Sequence, residues 1–344
     1  MLVNRVERGR YLDSVALMRI ARRLGELPGV EAAALMIGTP SNKALLADAR
    51  LLSSDGQAAE PNDLLIAVRA ADPAAAFALA ERLLIEPAPA EAEALRRART
   101  LEGALALEPA ANLALISVPG DFAAAEARKA LERGMHAMVF SDNVPLEAEV
   151  ALKRFAAERG LLLMGPDCGT ALIGGAPLAF ANAVPRGDIG IVSASGTGLQ
   201  EVSCLIARLG GGVSHGIGVG GRDLDERVGA LGMLAAIDAL DADAGTRTLL
   251  LISKPPAPRI AQKVLERVRR SQKRVVVCFL GEQGGSLTEA AEAASGRKID
   301  YAPPALPKRK GVVRGLYCGG TLASEATLLL RAAGAPGECV DLGD

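Results

Sequence analysis

The residues best suited to chemistry lie in "IVSASGTGLQEV", from Ile191 to Val202, where an apolar run yields to Ser, Gly and Thr and then resumes at helical spacing. A strand that hands over to a helix in this way leaves backbone N–H groups unpaired at the helix start. With the aligned peptide dipoles, those groups make a seat for an anion. Ser193, Ser195, Gly196, Thr197 and Gly198 are small enough to let a phosphate reach the backbone, and their hydroxyls add donors. Thr197 and Gln200 also have the spacing of a capping box, which needs no ligand. Capping accounts for two residues and leaves the run of Ser and Gly before them unexplained. Phosphate binding by Ser195, Gly196 and Thr197 is therefore the expectation.

Three further stretches carry candidate groups. "GIGVGGRDLDE" matches a G-x-G-x-x-G pattern through Gly216, Gly218 and Gly221, but Gly216 to Val219 read as strand, which weakens a dinucleotide reading. Glycine inside a strand signals close approach of a neighbouring loop or of a ligand. Gly220 and Gly221 are phosphate-binding candidates. Arg222, at the start of the next helix, could grip a phosphate or carboxylate in two-pronged fashion, and an ion pair with Asp223 accounts for it equally well. In "LLLMGPDCGT", Asp167 and Cys168 end a strand and are candidates for substrate binding. A nucleophilic Cys168 needs an activating base, and neither histidine is near it in sequence, so a buried small residue fits better. "FSDNVP" places Asp142 and Asn143 at another strand end, where Asn143 orients a substrate or makes an Asx turn. Lys254 in "LISKPP" is an anion ligand or an ordinary exposed lysine. Arg222, Asn143 and Lys254 are thus the catalytic candidates. His136 and His215 read as core or edge residues. Neither an H-E-x-x-H metal motif nor a G-x-x-x-x-G-K-[ST] loop is present.

Such loops converge when strands run parallel, because ligands of parallel α/β sheets sit beyond the carboxyl ends of the strands. Strand-length apolar runs do alternate with helix-length periodic segments along the chain, the pattern of an α/β protein. Residues 1–88 read as a small α+β domain. In it "DSVALMRIARRL" is a helix capped by Asp13, "VEAAALMIG" a strand, and "SNKALLADA" a helix opened by Ser41. "DLLIAVRA" follows as a strand, and "DPAAAFALAERLL" as a helix with Asp72 as cap and Pro73 at its first position. Residues 89–111 are an Ala-, Pro- and Glu-rich linker with a surface helix. Residues 112–185 form a βαβαβ series, a Rossmann-type domain. A second series fills residues 186–300, and residues 311–344 begin a further α/β unit.

With 344 residues, half of them apolar, the chain can bury a large core. A net charge of −1 gives no footprint for nucleic acid or an anionic membrane. Five scattered cysteines without a C-x-x-C pair fit a reducing compartment and argue against a disulfide framework or structural zinc. The charged start "MLVNRVERGRYLDS" lacks the apolar core of a signal peptide, and the apolar runs are too short to span a bilayer. A soluble cytoplasmic protein with no metal is expected.

Taken together, "MGPDCG", "IGIVSASGTGLQE" and "GIGVGGRD" resemble, in order and approximate spacing, the GPNC, G-I-V-S-x-S-G-T and G-I-G-G loops of succinyl-CoA synthetase α subunits, over Asn112 to about Gly281. More narrowly, the chain is similar to the FdrA family, sharing "RYLDSVALM", "NLALISVPG", "MGPDCGTALI", "SASGTGLQEVS", "GGRDLDERVG" and "RGLYCGGTLASEA" over nearly its whole length. The resemblance implies a CoA-ligase-like architecture, a nucleotide-binding-type domain followed by a flavodoxin-like domain. It also implies that the helix opened by Ser195, Gly196 and Thr197 holds phosphate.

The departures are specific. The synthetases pass phosphate through a histidine in a G-H-A-G-A segment, where this chain has "GEQGGSLTEAAEAASG". Their glutamate loop corresponds to "LISKPP", which offers Lys254, and their CoA-binding glycine loop has no convincing counterpart. CoA is therefore not supported as a ligand. Resemblance to FdrA implies a subunit of an oxamate carbamoyltransferase of allantoin breakdown, working with two companion subunits in a hetero- or homo-oligomer. That enzyme interconverts oxamate and carbamoyl phosphate with oxalurate and phosphate. Carbamoyl phosphate or phosphate is then the expected ligand. An acyl-CoA ligase subunit and a non-catalytic scaffold subunit are the alternatives. Longer FdrA members continue past "DLGD", so this chain is expected to be either a short form or part of a longer one.

Overall fold

Apolar residues at every position of one segment, alternation in others and helical spacing between them lay out two separate folding units, residues 1–97 and 98–344. The computed structural model describes residues 1–10, 12, 14–85, 98–281, 285–300 and 311–342. The first unit runs β1 (Leu2–Glu7), α1 (Ser14–Gly25), β2 (Val30–Ile37), α2 (Pro40–Asp48), α3 (Ser54–Gln57), β3 (Leu64–Ala70) and α4 (Ala74–Ile85). Its strands pair antiparallel in the order β1-β3-β2. The central β3 is buried on both faces. Leu64, Ile66 and Val68 meet α1 and α4, whereas Leu65 and Ala67 meet Leu46 of α2. That is why β3 reads as an unbroken apolar run rather than an alternation.

Two local expectations change here. The helix expected to open at Ser41 begins at Pro40 and is capped by Thr39, whose side chain accepts from Asn42 N. Proline at the first helical position lacks only an N–H that would be unpaired there. Strand β1 was not expected, because Asn4, Arg5 and Glu7 break its apolar pattern on an edge strand. Asp72 does accept from Ala74 N at 3.0 Å at the start of α4. The expected cap Asp13 lies outside the described residues.

The second unit opens with α5 (Leu101–Leu107), then β4 (Leu113–Ile116), α6 (Gly120–Glu132), β5 (His136–Val139), α7 (Leu146–Ala157) and β6 (Leu163–Met164). A hairpin follows, β7 (Thr170–Ile173) and β8 (Ala176–Ala179), then β9 (Ile189–Ser193), α8 (Gly196–Arg208), β10 (Val213–Gly218) and α9 (Leu231–Ala242). The rest comprises β11 (Thr248–Ser253), α10 (Pro258–Val268), β12 (Arg274–Phe279), α11 (Leu287–Ser295), β13 (Val313–Tyr317), α12 (Gly320–Ala332) and β14 (Gly337–Asp341). Strands β4-β5-β6 form one parallel sheet, covered on one face by α6 and α7. A second sheet has the order β12-β11-β9-β10-β7-β8, its first four strands parallel and the hairpin antiparallel. Helices α8 and α11 cover one face of this sheet through Leu199, Val202, Ile206 and Leu287, and α9 and α10 the other through Met233, Ile237, Ile260 and Val264. A doubly wound α/β architecture preceded by a small α+β domain is the fold of this protein.

The hairpin was missed in the sequence, although Gly174 and Gly175, at φ 59° and 86°, are what a tight two-residue turn requires. Through β7 against β10 it extends the second sheet, so a boundary at 185/186 separates it from its partners. The helix expected to begin at Arg222 begins instead at Leu231, and residues 221–230 form turns. Asp223 explains the delay. Fully buried, its carboxylate accepts from Gly232 N and Met233 N, both at 2.8 Å, and caps α9 from outside the helix.

Candidate functional site

Ser195 is the N-cap of α8, and its hydroxyl accepts from Gly198 N at 2.9 Å. Ser193 holds the turn below it, its Oγ donating to Ser195 O and accepting from Ser195 N. Thr197 is therefore not the cap, and the Ser-Gly-Thr run divides its labour. Ser193 and Ser195 fix the turn, and the amides of Gly196 and Thr197 have no acceptor among the described residues. Gly196 is exposed.

A second helix begins beside the first. Ser195 Oγ and Thr321 Oγ1 share a hydrogen bond of 2.6 Å, although 126 residues separate them. A methyl group on Gly319 would come within 2.8 Å of Thr197 Cγ2, and one on Gly320 would overlap Lys254 Nζ and reach within 2.8 Å of Asp341 Oδ2. Helix α12 opens at Gly320 without any side-chain cap. Two helix N-termini, each carrying about half a positive charge, thus meet next to the Lys254 ammonium, with Asp341 as the acidic group beside them. Among the described residues Lys254 makes no ion pair or hydrogen bond. Such a concentration of positive potential is relieved by a bound anion.

Strand order locates the entrance. From β9 the chain crosses to β10 on one side, while β11 leads to β12 on the other. The connections leaving β9 and β11 therefore part, and a crevice opens beyond their carboxyl ends. It has a volume of about 590 Å³ and is lined by Gly221, Ser253, Lys254, Asp225, Glu226 and Arg227; Lys254 is what it shares with the two helix starts, since Ser195, Gly196, Thr197 and Gly320 are not among its lining residues. Ser253 Oγ is buried there with no hydrogen-bond partner among the described residues. An unpaired buried hydroxyl costs free energy, which a ligand in the crevice would offset. Arg227 is held by Asp225, at 3.0 Å, and this pairing keeps the Asp225 carboxyl below its usual range. Ser253, Gly319, Gly320, Thr321 and Arg227 had not been singled out in the sequence. A second "GGT" after a strand, at Gly319 to Thr321, repeats the "SGT" pattern and was the available signal.

Other candidates lie elsewhere. Arg222 turns away from the crevice. Its guanidinium donates to Val144 O at 2.8 Å and pairs with buried Glu149, also at 2.8 Å. Nor does it pair with Asp223, which is bonded to Lys153 at 2.6 Å. Burial of Glu149 on α7 demands two cations, and Lys153 at 2.9 Å supplies the other. Gly220, at φ 86°, is buried where a methyl group would strike Pro166 O, and Gly218 where one would strike Cys168 Sγ. Those glycines admit the "GPDC" loop, not a phosphate. Gly221 does line the crevice, and a methyl there would lie 3.8 Å from Asp167 Oδ2. Cys168 is buried, its Sγ against Thr170 O and Gly218 O, and burial pushes its thiol up to about 12. It is a packing residue rather than a substrate ligand. Asn143 is exposed in a left-handed turn at φ 54°, which asparagine tolerates, and is not among the residues lining the crevice.

The sequence is 45% identical over 346 residues to the uncharacterized protein YahF of Escherichia coli (strain K12), covering 92% of this chain and 67% of that protein. The chain belongs to the YahF family. It also matches the family described as "AllF, heavy metal-associated domain" over residues 1–99. Residues 1–99 contain neither cysteine nor histidine, and Met1, Met18 and Met36 are their only soft donors. Among the described residues no cluster of three acidic, His or Cys side chains is placed to hold a metal either. That match covers the N-terminal unit alone, in a chain whose family is shown by its similarity to YahF.

More distant relatives are CoA ligases. The ADP-forming succinate–CoA ligase subunit alpha-2 of Trichomonas vaginalis is 29% identical over 214 residues, 60% of this chain and 65% of that one. The ADP-forming sulfoacetate-CoA ligase subunit SauD of Bilophila wadsworthia is 24% identical over 238 residues, 64% and 77% respectively. Among solved structures, the apo dinucleotide forming acetyl-coenzyme A synthetase 1 of Ca. Korarchaeum cryptofilum aligns with a TM-score of 0.39 at 22% identity. It covers 65% of this chain and 55% of that one. The YahF-family chain thus spans little more than half of that synthetase and about two thirds of the first curated relatives. None of its described helices is long and apolar enough to cross a membrane.

Proposed function

We propose that the crevice between β9 and β11 binds the phosphate of carbamoyl phosphate, and that the chain is one subunit of a carbamoyltransferase acting on oxamate. The observation that carries this reading is the meeting of two helix N-termini and Lys254, away from both histidines. Both histidines of the chain line a different cleft, and Cys168, with its thiol pushed up to about 12, is no nucleophile.

Transfer of a carbamoyl group needs no nucleophilic side chain. The amide nitrogen of oxamate attacks the carbamoyl carbon, a C–N bond forms, the C–O bond to phosphate breaks, and the nitrogen loses a proton to the departing phosphate or to water. The protein's part is to hold the reactants in line and to stabilise the charge that grows on the leaving oxygen. The amides of Gly196 and Thr197 and the ammonium of Lys254 are the groups for that task. Phosphate is the product they would hold most tightly. Resemblance to FdrA supports oxamate as the acceptor, and companion subunits would complete the site.

A second reading, an acyl-CoA ligase subunit, is favoured by the similarity to succinate–CoA ligase α subunits. It requires a phosphorylatable histidine from another chain. Calorimetric titration of the full chain with phosphate, carbamoyl phosphate and CoA tests both. Carbamoyl phosphate and phosphate should bind and compete, and Lys254→Met should weaken both at least tenfold. Binding of CoA with no response to carbamoyl phosphate would reject the transferase in favour of the ligase.

A further inference from the structure

At the opposite edge of the sheets, beyond the amino ends of β4 and β5, lies a second cleft of about 360 Å³. Its walls are apolar, formed by Leu113, Leu162, Met164, Ile173, Ile217 and Leu240. Into these walls are set the chain's only two histidines, His136 and His215, each half-buried. Small-molecule sites have this character, a mostly apolar lining with a few convergent polar groups.

The backbone fixes what the two rings offer. His136 Nδ1 accepts from Leu162 N at 2.9 Å, and His215 Nδ1 accepts from Gly174 N at 3.1 Å. A neutral imidazole that accepts at Nδ1 carries its proton on Nε2. Both Nε2 atoms are therefore donors. They have no lone pair for a metal ion, which must bind the unprotonated nitrogen. Neither has a hydrogen-bond acceptor among the described residues, since Asp243 Oδ2 stands 3.7 Å from His215 Nε2, too far for one. That carboxylate accepts from the Thr246 hydroxyl at 2.6 Å, which with Gly245 N and the nearby Lys273 keeps its carboxyl below the usual range. Its charge disfavours a second anion in the cleft.

We propose that this cleft is a second small-molecule site, taking a neutral, largely apolar molecule whose carbonyl-type acceptor is bound by the Nε2–H groups of His136 and His215. The site is separate from the anion crevice and stands whether or not the carbamoyltransferase reading holds.

The small number of histidines makes the test direct. In the full chain labelled with ¹⁵N,¹³C-histidine, two rings give two sets of resonances. Both should report the Nε2–H tautomer. Benzamide, a neutral ring with one carbonyl acceptor, should move both sets together and saturably at millimolar concentration. Leu240→Trp, which fills the cleft, should abolish the movement. His136→Phe should leave a weakened response at His215, and thermal melting checks that either variant is folded. An Nδ1–H tautomer at either ring, or no movement with benzamide, would overturn the proposal. So would a response that survives in folded Leu240→Trp, or one given by zinc ion or acetate in place of benzamide.

Discussion

At the scale of single residues, function and packing separate by what each polar atom touches. Ser195 caps α8 and is bonded to Thr321, so Ser195→Ala removes a cap and strands a buried hydroxyl. Cap loss alone costs about 1 kcal/mol, and urea denaturation should show at least that. Cys168 illustrates the opposite lesson. The sequence favoured a buried small residue over a nucleophile there, and burial does raise its thiol to about 12. Iodoacetamide at pH 8 should label exposed Cys318 and spare Cys168, as peptide mass mapping would show. Glu325 is a third case. Burial raises its carboxyl above the ordinary 4.5, although Leu287 N donates to it. A carboxyl raised in the folded state favours folding fully below its unfolded value, and that contribution is lost as pH rises through the folded value. Glu325→Gln should therefore raise the melting temperature at pH 8, and the gain should shrink towards pH 4.

At the scale of elements, the site depends on where helices begin. Helix α8 starts at Gly196 because Ser195, two residues past the end of β9, caps it. Helix α12 starts at Gly320 with nothing capping it, so its amides stay available beside Lys254. A side chain at Gly320 would push into Lys254 and Asp341. Gly320→Val should thus weaken phosphate binding by tenfold or more in calorimetry. The unliganded melting temperature should move far less than a core cavity would move it, because the obstructing Lys254 atom is the free end of a flexible side chain. Helix α9 shows how a start is set from a distance. The late opening at Leu231 follows from Asp223, which reaches back to Gly232 and Met233 while pairing with Lys153.

At the scale of the whole second unit, one buried cluster joins its two sheets. Lys153 on α7 meets Glu149 and Asp223, with both carboxylates fully buried, and also donates to Val219 O. Removing one partner of such a set leaves uncompensated charge, at a cost of about 3–5 kcal/mol. Lys153→Met should lower stability by that amount in urea denaturation. Much of this molecule was legible in the sequence. Apolar periodicity, strand-to-helix loops and the Ser-Gly-Thr turn are local properties, so they fixed the α/β class, most elements and the turn from Ser195 to Thr197 that opens α8. Strand β1 escaped because an edge strand is only half apolar, and the hairpin because its pairing with β10 is remote in sequence. Arg222 and Gly220 were misjudged for the same reason, since their partners Glu149 and Pro166 lie tens of residues away. Only the tertiary structure decided that α12 meets α8, that Lys254 stands beside the start of α12 and that both histidines share one cleft. Each is a contact between segments far apart in the chain. Hydrophobic burial chooses such contacts, and spacing along a sequence does not encode them.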